Sequence, residues 1–212
     1  MIIAIESAST DPSVALVGRD GSEIGVDGWT GGHGQGRELL PRLLALVDAT
    51  GRRLGDATAV AVGIGPGSFT GLRVGMSLGK GLAAGLGVPL CGVPSLEAWL
   101  AADPDARAAL ARAGARDAYL LVRGEMEPSI VARDALPDGA RHDPVVAPGE
   151  LVTAFELAGG RSPSRAALAV GRSALERLRA VPHGDDLRTL EPRYVRLPRG
   201  LDALPAEKVR WL

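Results

Sequence analysis

The segment that most constrains the fold is a strand–turn–helix unit at residues 60–87. A short apolar run rich in β-branched residues stops at glycine and proline, which predicts a buried strand. Gly65-Pro66-Gly67 predicts a tight turn, and Ser68 is a favoured helix N-cap. The residues that follow predict a helix that ends at Gly87, before Pro89.

The predicted helix has one face almost without side chains. Gly71, Gly75, Gly79 and Ala83 recur every four residues, and residues four apart lie close together on a helix. Each interior glycine costs about 0.5–1 kcal/mol relative to alanine, so close packing along this stripe must offset the cost. Two alternatives follow: the stripe packs on the chain's own sheet, or it packs on another chain.

Composition and charge narrow the class of protein. The 212 residues are 46% hydrophobic and 23% charged, which is ordinary for a globular protein. A net charge of −1 argues against broad, nonspecific binding of nucleic acid. The single Cys91 allows no internal disulfide and fits a reducing cytosol. Met1 leads straight into an apolar strand, so we expect no signal peptide, no membrane segment and a cytoplasmic location.

Several segments together resemble the bacterial TsaB (YeaZ) family. They are the sequence GIGPGSFTGLRVG at residues 63–75, the strand segments at 2–7 and 13–16, the block 33–41 and the tail 191–196. The resemblance implies an α/β protein with the actin-like ATPase (ASKHA) fold, built from two ribonuclease-H-like lobes of which the second is reduced. It also implies a non-catalytic subunit that supports a TsaD-like threonylcarbamoyltransferase in forming N6-threonylcarbamoyladenosine in tRNA.

The order of the predicted elements agrees with such a fold. Three strands are followed by helix, strand, helix and strand, an order typical of α/β proteins. We place the first lobe at residues 1–102 and the second, with an extended tail, at 103–212. In the second lobe we predict a helix from Asp103 to about Gly114, a strand pair at 118–132, a strand at 167–170 and a helix at 172–181.

Two candidate sites for chemistry are weak. Glu6 and Ser7 end the first strand where an actin-like ATPase approaches phosphates, but the turn after them contains no glycine. A polar turn is therefore favoured over a residual nucleotide site. Catalytic relatives carry two histidines four residues apart, whereas here His33 is followed by Arg37, and a cation opposes a metal ion. We therefore expect no catalytic residue, cofactor or metal. The alternative functions are an ATPase or kinase on the same fold and, less favoured, a metallopeptidase.

The expected functional feature is a protein–protein interface. The leucine face of the helix at 37–47 and the glycine stripe would bind the TsaD-like subunit, and the same face could pair two copies when that subunit is absent. The interface residues predicted are Leu39, Leu40, Leu43, Gly71, Gly75, Gly79 and Ala83. The resemblance adds a TsaE-like ATPase to the same complex. The arginines of the basic tail, from Arg161 to Arg199, could contact tRNA or could simply pair with Glu176, Asp185, Asp186 and Glu191.

Overall fold

The computed structural model describes residues 1–31 and 35–195 of the chain. These residues form two five-stranded sheets flanked by helices. The first-sheet strands are β1 (Ile2–Glu6), β2 (Ser13–Val17), β3 (Glu23–Gly28), β4 (Ala59–Gly63) and β5 (Leu90–Val93), and the second-sheet strands are β6 (Ala108–Arg112), β7 (Asp117–Val122), β8 (Ser129–Ala132), β9 (Val145–Val146) and β10 (Gly160–Arg161). The helices are α1 (Gln35–Ala49), α2 (Phe69–Leu86), α3 (Ser95–Ala102), α4 (Asp138–His142), α5 (Gly149–Ala154) and α6 (Ala166–Ala180), with 3-10 turns at Leu54–Asp56 and Arg133–Ala135.

The two sheets share one topology. In the first, the order is β3-β2-β1-β4-β5, with β1, β2 and β3 antiparallel and β4 and β5 parallel to β1. In the second, β8-β7-β6-β9-β10 repeats this arrangement. The repeat confirms two ribonuclease-H-like lobes in an actin-like fold. The second lobe is reduced, since β9 and β10 contain two residues each.

Alternation along β1 explains how the first sheet is covered on both faces. Ile3 and Ile5 belong to the core cluster that includes residues of α1 and α2, while Ile2 and Ala4 belong to the cluster that includes residues of α6. Side chains of successive strand residues point to opposite faces, so Ile2 to Ile5 place apolar side chains on both faces, and all five residues of β1 are buried. The first sheet is therefore a central layer with helices on either side.

Helix α6 crosses between the lobes. It follows β10 in the chain, yet it packs on the strands of the first sheet and on α3. The predicted strand at 167–170 is wrong, because these residues form the first turns of α6. A short apolar run does not distinguish a buried strand from a buried helix, and the packing on the first sheet decides. The division of the chain at residues 102 and 103 falls between α3 and β6 and stays a prediction.

A second correction concerns the predicted helix from Asp103 to Gly114. Residues Ala108–Arg112 form β6 instead, the central strand of the second sheet, between β7 and β9. Three alanines and a leucine favour a helix locally. The pairing with two neighbouring strands outweighs that preference here, and alanine leaves room for close packing on both faces. The predicted strand pair at 118–132 is confirmed as β7 and β8.

Both ends of α2 agree with the sequence prediction. The Ser68 side chain accepts a hydrogen bond from the Gly71 amide at 3.2 Å, which caps the first turn. Gly87 ends the helix in the left-handed conformation, with φ of 66°. Ser95 is the first residue of α3, and its Oγ accepts a hydrogen bond from the Gly65 amide at 3.0 Å, which joins this helix to the turn before α2.

The C-terminal strap, residues 181–195, returns along the first lobe after α6. The Asp185 amide donates to the Leu90 carbonyl at 2.7 Å, and Leu187 and Leu190 pack on the first-lobe core. The Arg193 amide donates to the Ile64 carbonyl at 2.7 Å. The strap thereby follows the β5 edge of the sheet towards the turn before α2. None of the helices within residues 1–31 and 35–195 is both long and apolar enough to cross a bilayer.

Candidate functional site

The glycine stripe of α2 lies against the chain's own first lobe. Gly71, Gly75, Gly79 and Ala83 are all buried. A Cβ atom on Gly75 would overlap Ser7 Oγ, and one on Gly79 would overlap Val62 Cγ1. The prediction that this stripe contacts a partner is therefore wrong for these four residues. The first alternative, packing on the chain's own sheet, is the correct one.

The predicted residual nucleotide site is also inside the protein. Glu6 is 0% exposed and Ser7 is 1% exposed. Glu6 Oε1 accepts a hydrogen bond from the Ala8 amide at 2.7 Å, and Ser7 Oγ donates to the Gly71 carbonyl at 2.9 Å. Burial raises the pKa of the Glu6 carboxyl. A Cβ on Gly63 would overlap this carboxyl, so the acid is enclosed by the first lobe and does not face a ligand.

The region where the two lobes meet is packed with side chains. Ala8 and Leu72 of the first lobe belong to one buried cluster with Trp99 of α3 and with Tyr119 and Val146 of the second sheet. Polar contacts cross the same boundary. Asp11 Oδ2 accepts hydrogen bonds from the Gly149 amide at 3.2 Å and from Ser162 Oγ at 2.9 Å. The lobes are therefore joined through a shared apolar core and a buried carboxylate.

An open groove of the first lobe lies between α1 and α2 and is called here the α1–α2 groove. It encloses about 400 Å³ and is lined by Gly36, Leu39, Leu40, Arg73, Val74, Ser77 and Leu78. Leu40 is 40% exposed, and Leu44, one turn further along α1, is 43% exposed. Leu39 and Leu43 are 1% and 0% exposed, so they support the groove from the core. Of the predicted interface residues, only Leu40 presents an apolar side chain to the surface.

An aromatic and arginine stack includes Arg73, one of the residues that line this groove. The Arg73 guanidinium lies 3.9 Å from the centroid of the Phe69 ring, and Arg73 Nε donates to the Tyr194 hydroxyl at 3.3 Å. The Phe69 and Tyr194 ring centroids are 5.4 Å apart. The C-terminal strap therefore ends beside the groove. No sequence pattern assigned a role to Phe69 or Tyr194, and the scarcity of aromatics, 3% of residues, was the available signal.

His33, the candidate metal position, lies outside the described residues. Arg37 is exposed on α1. Within residues 1–31 and 35–195, no three side chains of the histidine, cysteine, aspartate or glutamate type are grouped to hold a metal ion.

Most arginines of the basic tail are engaged within the chain. Arg161 pairs with Asp103, Arg165 with Glu23, Arg177 with Asp185, and Arg193 with Glu97 and Glu127. Arg172 donates to the Gly21 carbonyl. Of the four carboxylates predicted to pair with these arginines, Asp185 is the one that occurs in these pairs. Arg196 and Arg199 lie outside the described residues.

Comparison with known proteins gives consistent matches. Residues 36–145 match the family model described as TsaD, tRNA N6-adenosine threonylcarbamoyltransferase. TsaB of Escherichia coli strain K12, a tRNA threonylcarbamoyladenosine biosynthesis protein, is 36% identical over 101 residues, covering 45% of this chain and 40% of that protein. A tRNA N6-adenosine threonylcarbamoyltransferase of Solidesulfovibrio magneticus is 48% identical over 66 residues, covering 31% of this chain and 18% of that enzyme.

The structural comparison extends over nearly the whole chain. YeaZ from Pseudomonas aeruginosa superposes with a TM-score of 0.67 at 24% identity, covering 92% of this chain and 99% of that one. That likeness establishes the fold. The sequence matches span less than half the length of the curated relatives. The TsaD family model, however, covers just over half of this chain, and together with the matches to TsaB and YeaZ it shows that the chain belongs to the TsaB/YeaZ family.

Proposed function

We propose that this chain is a non-catalytic subunit that binds a TsaD-like threonylcarbamoyltransferase and supports it in forming N6-threonylcarbamoyladenosine in tRNA. The observation that carries the proposal is the α1–α2 groove with its exposed leucines. Leu40 and Leu44 lie one turn apart on α1, and the groove beside Leu40 is lined mainly by aliphatic side chains. Contiguous exposed apolar surface of this kind marks binding sites for other proteins. Family membership supplies the pathway and the class of partner.

The proposal that the chain is non-catalytic rests on residues buried inside the molecule. The carboxyl at the end of β1 is enclosed, and the boundary between the lobes is filled by Leu72, Trp99 and Tyr119. A nucleotide between the lobes would have to displace this shared core. The large apolar side chains among these residues each contribute about 1.5–3 kcal/mol by burial, so such a displacement is unfavourable.

The rest of the assembly follows from the family and is part of the proposal. A TsaE-like ATPase would join the same complex, and two copies of this chain would pair through the α1–α2 surface when the TsaD-like subunit is absent. Contact with tRNA would involve the arginines after residue 160 that remain accessible. The site of action would be the cytoplasm, where tRNA is modified.

Replacement of Leu40 by arginine tests the partner surface. The charged side chain would enter an apolar contact and forfeit about 1.5–3 kcal/mol of burial, so affinity for the TsaD-like protein of the same organism should fall about tenfold or more. Calorimetric titration measures the affinity, and thermal melting checks that the variant is folded. Val122→Arg is the matched control, because Val122 is 37% exposed on the second sheet, away from the groove. It should bind as the wild type does.

Any one of three results would contradict part of this proposal. Normal binding by a folded Leu40→Arg variant would remove the α1–α2 groove as the partner surface. Steady ATP hydrolysis by the purified chain, abolished by Glu6→Gln, would favour an ATPase or kinase. One zinc or iron per chain by elemental analysis, lost in His33→Ala, would favour a metallopeptidase.

A further inference from the structure

Three exposed arginines from separate parts of the chain lie at one end of the first sheet. Arg19 is in the turn between β2 and β3, Arg52 follows α1, and Arg172 is on α6. These three residues are called here the basic cluster. They are far apart in the sequence, so only the fold brings them to the same end of the sheet.

Arg172 contacts the turn that contains Arg19. Its Nε donates a hydrogen bond to the Gly21 carbonyl at 3.0 Å. The turn is closed by the bond from the Gly18 amide to the Ser22 carbonyl at 2.8 Å, which keeps Arg19 close to Gly21. A guanidinium carries several N–H donors in a fixed planar arrangement, so Arg172 keeps donors for another ligand.

Arg19 and Arg52 both lie near the amine of Met1. Arg19 comes two residues after the end of β2, the strand that pairs with β1 next to Met1. The Met1 amine donates to the Asp56 carbonyl at 3.0 Å, in the turn that follows Arg52. Burial, and then the charges of Arg19 and Arg52, lower the pKa of this amine, as nearby cations do. The two guanidinium groups therefore share one neighbourhood.

The carboxylates that lie nearest in sequence are held by their own turns. Asp20 Oδ1 accepts from the Ser22 amide at 3.0 Å and from the Ser22 hydroxyl at 2.6 Å, and Asp56 Oδ2 accepts from the Arg53 amide at 2.9 Å. Within residues 1–31 and 35–195, no member of the basic cluster forms an ion pair with a carboxylate. The cluster therefore presents positive charge that the described chain does not pair.

We propose that the basic cluster binds the phosphate backbone of RNA. Arginine suits this ligand, because its planar donors match phosphate oxygens and its charge is permanent. Contacts to phosphate position a nucleic acid without reading its sequence, so the cluster would orient the RNA and would not select a base. That this RNA is a tRNA rests on the proposed function.

The basic cluster is separate from the α1–α2 groove. None of its three arginines is among the residues that line the groove. RNA on the basic cluster therefore leaves the groove accessible to the TsaD-like subunit or to a second copy of the chain. Of the arginines after residue 160, this proposal assigns the contact to Arg172, and it adds two arginines of the first lobe.

Binding of a fluorescently labelled, unmodified tRNA transcript to the purified full chain tests the proposal. Anisotropy is measured at several salt concentrations. The triple variant Arg19→Ala/Arg52→Ala/Arg172→Gln should bind about tenfold or more weakly at low salt, and the slope of log affinity against log salt should shrink by about one per arginine. Glutamine at position 172 keeps an N–H donor for the Gly21 carbonyl.

Two further variants keep the result independent of folding. Arg19→Ala/Arg52→Ala leaves the bond to Gly21 intact and should reduce the slope by about two. Arg116→Ala removes an exposed arginine between β6 and β7 of the second lobe. This matched control should keep the wild-type affinity and slope. Thermal melting checks that each variant is folded.

Each other outcome overturns the inference. No binding of tRNA by the wild type at low salt means that the cluster is not an RNA site. An unchanged slope in the folded double and triple variants places the RNA elsewhere, and an equal loss per charge in Arg116→Ala reduces the effect to net charge. Sedimentation with phosphatidylserine vesicles in place of tRNA binding would assign the cluster to a membrane surface.

The outcome is distinguishable from that of the partner experiment. No TsaD-like protein is present in the RNA measurement, so its failure leaves the partner proposal intact. Loss of the partner interaction in Leu40→Arg is expected to leave RNA binding unchanged, because Leu40 lies in the groove and not in the basic cluster.

Discussion

Gly75 and Gly81 belong to the same helix, α2, but have different surroundings. Gly75 is buried against Ser7 and Ile5, whereas a Cβ on Gly81 would meet no heavy atom within 4 Å. The same residue type therefore has two effects in one element. At Gly75 it permits close approach of α2 to the sheet, and at Gly81 it only weakens the helix.

Alanine at each position should separate these effects. Gly75→Ala should lower the free energy of unfolding by about 1–3 kcal/mol, because Ser7 must move and its hydrogen bond to the Gly71 carbonyl is disturbed. Gly81→Ala should raise it by about 0.5–1 kcal/mol through helix propensity. Urea denaturation of both variants measures the two values. A Gly75→Ala variant as stable as the wild type would show that α2 does not pack as described.

Glu6 should make stability depend on pH. Burial raises its pKa above the ordinary value of 4.5, so above that pH the unfolded chain releases this proton before the folded chain does. The contribution of Glu6 to stability is complete below pH 4.5 and is lost as pH rises through its folded pKa, at a limiting slope of about 1.4 kcal/mol per pH unit.

Glu6→Gln isolates this effect, because glutamine keeps the carbonyl oxygen that accepts from the Ala8 amide and does not titrate. The stability of the wild type relative to Glu6→Gln should fall as pH rises above 4.5. Urea denaturation of both proteins at several pH values gives the difference. A difference that is flat with pH would mean that the Glu6 pKa is not raised.

At the scale of elements, the C-terminal strap is anchored near its start by Asp185. Its Oδ2 accepts from the Gly92 amide at 2.7 Å, and its Oδ1 lies 3.1 Å from Arg177 Nη2. These contacts join α6, the strap and β5. The strap ends at the stack of Tyr194, Arg73 and Phe69, so its attachment also sets one rim of the α1–α2 groove.

Asp185→Ala should loosen the strap. Removal of the Asp185 carboxylate leaves the Gly92 amide without its hydrogen-bond acceptor. The free energy of unfolding should therefore fall by about 1–3 kcal/mol. Hydrogen exchange should accelerate in peptides covering residues 185–195. Glu176→Ala, which removes an exposed carboxylate from α6, is the control and should change stability by about 0.5 kcal/mol or less. Equal effects of the two substitutions would show that the strap is not held through Asp185.

At the scale of the whole molecule, the two lobes share one interior. Helix α6 packs on the first sheet although it follows the last strand of the second, and one apolar cluster includes residues of both lobes. The boundary also contains Asp11, which is 3% exposed. A protein with this arrangement should unfold as a unit.

Asp11→Ala should weaken the junction of the lobes. The Gly149 amide and the Ser162 hydroxyl, both on exposed residues, lose their charged acceptor, and a hydrogen bond to a charged group contributes about 1.5–3 kcal/mol. Urea denaturation should show this loss in a single transition that coincides for fluorescence and circular dichroism. Asp48→Ala, at an exposed position of α1, should stay within about 0.5 kcal/mol of the wild type. Two separate transitions in the wild type would argue against a shared core.

The sequence by itself determined those elements whose signals are local. The strand at 59–63, the Ser68 cap and the end of α2 at Gly87 each depend on a few neighbouring residues. The hairpin of β7 and β8 and the order of elements in the first lobe were predicted for the same reason. Helical periodicity also predicted the apolar face of α1 that includes Leu40.

Only the tertiary structure decided the features that depend on distant residues. The alanine-rich segment at β6 became a strand because β7 and β9 pair with it, and residues 167–170 became helical because the first sheet covers them. The glycine stripe packs against Ser7 and Val62, and the Glu6 carboxyl lies against Gly63 inside the first lobe. A periodic pattern fixes which residues share a face, but the surface that covers that face comes from contacts across the chain.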